Sequence, residues 1–190
     1  MKVLLIIIIS MSFSTTNYGQ IKFWEEFSSK EKTHILELCK SETIKTFHDG
    51  YFNLSDEKKT EGLINDLITS NDSIFPLSFY LFNKICIQSD GALAEMISSS
   101  CIKIIAQYPS YFLSYFNKER DLDKQKHLLE TYAMYIGSEL YFKRKGTSNI
   151  EYDYKSFKEI LNSASESNKN YKETFNKFWL LVDKSIKNME

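Results

Sequence analysis

Asp90 and Glu95, in the stretch SDGALAE, are the carboxylates whose type and spacing could do acid–base work, for instance on a glycan. The same two positions fit a plainer duty. An acid at or just inside a helix start accepts unpaired backbone N–H groups and meets the positive end of the helix dipole. The histidines His34, His48 and His127 each have an acid nearby, Glu37, Asp49 and Glu130. A spacing of three puts His34 with Glu37 and His127 with Glu130 on shared helix faces, where each pair could give a metal two ligands. Di-iron bundles, however, carry Glu-x-x-His, and here the order is reversed. The pairs read as surface ion pairs, with no metal ligand set and no cofactor.

The chain has three cysteines, Cys39, Cys86 and Cys101, each in an apolar helical stripe. If Cys86 and Cys101 flank a tight helical hairpin, they lie ~5 and ~16 Å from its closed end, a mismatch of ~11 Å. A disulfide needs Cα atoms within ~7 Å. The expectation is therefore that Cys86 and Cys101 stay apart and that all three thiols are buried and unpaired, while pairing of Cys39 with either stays open. A catalytic thiolate would need a cationic neighbour or a helix amino terminus, which neither Cys86 nor Cys101 is placed to use. There is no Gly-x-Ser-x-Gly elbow, no glycine-rich phosphate loop and no Gly-x-Gly-x-x-Gly.

Aromatic residues are the most unusual feature. Tyr108, Tyr111, Phe112, Tyr115 and Phe116 crowd one short segment, and Tyr152, Tyr154 and Phe157 another. Rings too numerous for one narrow stripe would leave some at the surface, where amphipathic tyrosines suit peptide, glycan or lipid contacts. Tyr108, Tyr111, Phe112 and Tyr115, with Asp90 and Glu95, are accordingly the candidate binding residues. The competing reading is ordinary core filling.

Stripes at three- and four-residue spacing run from Lys22 to the end, and no stretch alternates with period two. Only two prolines and six glycines interrupt 190 residues, which argues for long regular elements. The segment IFPLSFYLFNKICIQ is apolar nearly all round and should form the central, buried helix. Asp121 or Asp123 should start a long helix ending at the basic run Lys143-Arg144-Lys145, where cations suit the dipole. The expected fold is all-α, a single domain of about eight helices packed as antiparallel hairpins, in a bundle or an irregular HEAT-like stack. No repeat of constant period is present.

Residues 1–19 read as a signal peptide: Lys2, an apolar run from Val3 to Ile9, then small and polar residues. The run is about half of the ~20 residues a membrane span needs. Cleavage is expected before Gln20, leaving 20–190 as the helical domain, secreted or periplasmic and without a transmembrane anchor. Lysine and arginine number 24 against 25 acids, interspersed along the chain, so no basic face steers nucleic acid.

Absence of recognisable chemistry together with an export signal points to a non-catalytic protein that binds a macromolecule, either another protein or a surface glycan, or serves as a scaffold. The alternatives are a small-ligand or lipid carrier with an aromatic-lined cavity, and an enzyme using dispersed acidic residues.

Overall fold

The structure, a computed structural model, describes residues 21–55, 57–89, 91–118 and 122–190, with backbone alone at 122–126. The expected signal peptide and the candidate residue Asp90 lie outside the described residues. Among those described, the chain forms a short 3₁₀ turn, Trp24–Glu26, and nine α-helices, with no strand. The helices are α1 (Ser29–Leu38), α2 (Glu42–His48), α3 (Lys58–Ile68), α4 (Phe75–Gln88), α5 (Gly91–Gln107), α6 (Pro109–Asn117), α7 (Leu122–Arg144), α8 (Tyr154–Glu166) and α9 (Lys169–Lys187). The all-α reading holds.

Local chemistry sets the boundaries. Ser28 and Glu31 form a reciprocal capping box that starts α1. The apolar stripe through Ile35, Cys39, Ile44 and Phe47 reads as continuous, yet the chain breaks between α1 and α2. Cys39 is extended, and Ser41 caps α2 by accepting from the Ile44 N–H at 3.2 Å while donating to Asp66 on α3 at 2.6 Å. That side-chain cap competes with a continued helix. Gly146, at φ +77°, closes α7 by turning the chain so that the Gly146 and Thr147 N–H groups donate to Lys143 and Phe142 carbonyls.

One continuous core joins the helices. Helix α7 is its spine, lying against α9 on one side and against α4 and α5 on another. Helix α3 lies across α4 and α5, while α6 and α8 flank α9. Seven apolar residues of α4, Phe75, Leu77, Phe79, Leu81, Phe82, Ile85 and Cys86, are buried, as its all-round apolar pattern requires. At the centre Tyr132 of α7, fully buried, donates to Asn83 Oδ1 of α4 at 2.8 Å.

The hairpin expectation fails at α4 and α5. Both helices rest on α3 and α7 more than on each other, so they do not run side by side as an antiparallel pair. Axial distance from a shared turn therefore says nothing about Cys86 and Cys101. Cys86, near the end of α4, meets the middle of α5, and its Sγ lies 4.0 Å from Cys101 Sγ. All three cysteines are buried thiols, as expected.

Candidate functional site

The aromatic residues singled out in the sequence are bound into the protein itself. Phe112 is fully buried, with its ring edge-on to Phe116, Tyr132 and Phe178. Tyr115 is 8% exposed and packs on Phe23 and Phe79. Tyr111, half-buried, meets the rings of Phe23, Phe75 and Phe79, and its hydroxyl donates to the Lys22 carbonyl at 3.3 Å. Tyr108 stacks on Phe75 and donates to Asp72 at 2.7 Å. Burial and that carboxylate push its hydroxyl up to about 12. Helix α6 thus places Tyr111 and Tyr115 against α4 and the segment Ile21–Phe27, and Phe112 against α7 and α9. Tyr108, Tyr111 and Phe116 are half-buried, while Phe112 and Tyr115 are buried.

Glu95 is exposed on α5. His34 and Glu37 approach to 3.8 Å at the surface, and His48 and Asp49 to 2.8 Å. Among the described residues no three His, Cys, Asp or Glu side chains are grouped to hold a metal ion. No helix among them is long and apolar enough to cross a membrane.

A sizeable concavity lies elsewhere. Where the carboxyl ends of α7 and α9 meet the amino end of α8, they enclose an open groove of about 690 Å³. Leu140 and Ile186 supply aliphatic surface, and the rings of Tyr141 and Tyr154 line it. Lys143, Arg144, Lys155 and Lys187 bring positive charge. The first two stand in the last turn of α7 and Lys187 in that of α9, where the sequence places cations against the helix dipoles.

Each acid of the groove is engaged within the protein. Asp153 caps α8, accepting from the Ser156 N–H at 2.8 Å, a bond that lowers its carboxyl pKa. Asp183 accepts from the Tyr154 hydroxyl at 2.7 Å, and Glu190 pairs with Arg144 at 2.6 Å. Tyr154 is held twice, since its oxygen also accepts from Trp179 Nε1 at 2.9 Å. That relay fixes the ring at the groove wall. Lys155, in contrast, only approaches Glu159, at 4.0 Å, and is 84% exposed.

Among the described residues no histidine, cysteine or serine lines this groove. What it offers is aliphatic and aromatic surface beside solvent-facing cations. Sequence reading placed Tyr154 in a ring-crowded segment and Lys143-Arg144 at a helix end. The missing step was convergence: the carboxyl end of α9 meets the adjoining ends of α7 and α8, and no local pattern announces it. No family model matches this chain, and comparison with curated proteins and with solved structures gives no match.

Proposed function

We propose that this is an exported, non-catalytic binding protein, and that it takes an extended segment of another protein into the groove between α7, α8 and α9. The observation carrying this reading is the pairing of apolar surface with unequally engaged charge. The three acids are each held by a bond within the protein, while Lys155 and Lys187 border the opening. An incoming chain with an aliphatic or aromatic anchor beside an Asp or Glu satisfies both. Phe142, 45% exposed and ring-to-ring with Tyr141, extends the apolar surface beyond the groove. An apolar centre with a charged rim is the usual anatomy of a protein contact.

Selection of displayed random peptides on the native chain tests this. Enriched sequences should combine an apolar residue with acids, and the double variant Lys155→Glu, Lys187→Glu should bind them at least about tenfold more weakly with an unchanged melting temperature. Peptides that bind the variant equally, or no enrichment at all, would refute the reading.

A carrier role is the second reading, favoured by the groove volume, which falls within the ~300–1,000 Å³ of small-molecule pockets. A bound amphipathic molecule in native mass spectra, displaced by tyrosine-to-alanine changes at Tyr141, would support it over peptide binding. Export itself predicts a mature chain that begins at Gln20, which amino-terminal sequencing reads directly.

A further inference from the structure

Cys86 and Cys101 lie in sulfur-to-sulfur contact at 4.0 Å, 1% and 0% exposed. The neighbourhood holds them there. Ser89, at the end of α4, donates to the Cys86 carbonyl at 3.0 Å and shares a 2.6 Å hydrogen bond with the Tyr135 hydroxyl of α7. Asn83, one turn before Cys86, is pinned by Tyr132. Cys39 is placed differently, at the carboxyl end of α1, with its thiol directed at the Ser41 carbonyl.

Helices α4 and α5 share supports more than they share contacts, so a bond between them would add what packing leaves out. A disulfide needs the sulfurs to move from 4.0 Å to ~2.05 Å, and rotation about each Cα–Cβ bond is the motion that brings one sulfur toward the other. We propose that Cys86 and Cys101 are a disulfide-forming pair, joined when the chain folds with a disulfide donor present, while Cys39 remains a thiol.

The donor is a small-molecule disulfide such as oxidised glutathione, or the disulfide of an oxidoreductase. The thiolate of one cysteine attacks a donor sulfur, forming a mixed disulfide and releasing one donor thiol. The second cysteine then attacks the protein sulfur of that mixed disulfide, forming the Cys86–Cys101 bond and expelling the other donor thiol. The protein loses two electrons and two protons, and the donor disulfide gains them. Timing follows from burial. In the finished fold no donor reaches these sulfurs, and burial, together with Cys86 beside it, pushes the Cys101 thiol well up. Exchange therefore precedes the covering of α4 and α5 by α7, and native packing selects the pair.

The test uses Cys39→Ser, which leaves only these two cysteines, with Cys39→Ala as the substitute should serine not fold. Each is refolded from denaturant into native glutathione redox buffers, starting once from reduced and once from oxidised chain, and compared with chain equilibrated at the same ratios in concentrated guanidinium chloride, then acid-quenched, alkylated and weighed. The bond should survive a ratio at least about tenfold more reducing in native buffer than in denaturant. An equal or weaker bond under native conditions overturns the proposal. Unaltered chain refolded in the oxidising buffer should retain one alkylatable cysteine and give a cross-linked peptide containing Cys86 and Cys101. Three alkylated cysteines, or a cross-link through Cys39, would also overturn it.

Discussion

Gly137 on α7 faces Ser185 on α9 so closely that a methyl group at Gly137 would lie 2.6 Å from Ser185 Cβ and 3.2 Å from the Val182 carbonyl oxygen. This is where the spine of the fold meets its last helix. Alanine in a helix interior is ordinarily favoured over glycine by ~1 kcal/mol. Here the steric term wins, because backbone and Cβ atoms have no rotamer by which to escape. Gly137→Ala should destabilise the protein by about 1–3 kcal/mol in denaturant titrations. Ser185→Gly in the same chain should recover part of that loss, and full additivity of the two changes would show that the contact does not matter.

Tyr132→Phe removes the partner of Asn83 Oδ1 at a site where Asn83 Nδ2 already lacks one. The amide would then be buried with neither end satisfied, at a cost of about 1–3 kcal/mol. Asn83→Leu combined with Tyr132→Phe should be more stable than Tyr132→Phe alone. A double-mutant cycle by urea denaturation measures the difference.

Phe23 is fully buried although it lies only two residues from the start of the described chain. It meets Tyr111 and Tyr115 edge-on, and Lys118 Nζ sits 4.7 Å from its ring centre. Phe23→Ala should cost about 3–5 kcal/mol, and Tyr111→Ser and Tyr115→Ser should each lower the melting temperature. Were these tyrosines a contact surface instead, serine would leave melting unchanged.

Glu31 is held down to about 2 by its hydrogen bond from Lys22, with Ser28 assisting, against 4.5 for an unperturbed glutamate. A carboxylate whose pKa is depressed by folding stabilises the fold fully above its unfolded value. That contribution is lost as pH falls from about 4.5 toward about 2. Glu31→Gln should lower stability near neutral pH and flatten the acid limb of the stability profile across that window. Because the site is exposed, added salt should shrink the effect in the parent chain. Thermal melts as a function of pH give both readings.

Much of the architecture was legible because helical spacing is a local signal. The buried helix α4, the long α7 and the basic end of α7 all follow from it. What was not legible depended on which helices become neighbours. Cys86 and Cys101 were set apart by assuming that consecutive helices pair, whereas both α4 and α5 turn to α3 and α7. Tyr111 and Tyr115 look surplus on their own short helix until Phe23, roughly ninety positions earlier, supplies the matching surface. Gly137 carries no turn signal at all, since its role is a distance to another helix. The groove followed the same rule, with each lining residue ordinary in its own helix.

The seam between Ile21–Phe27 and α6 spans 89 residues from Tyr111 to Lys22 and 97 from Lys118 to Ile21. Helices form from neighbours within a turn or two, but this seam must wait for both ends of a long loop to meet. The residues synthesised early are thus the ones latched late.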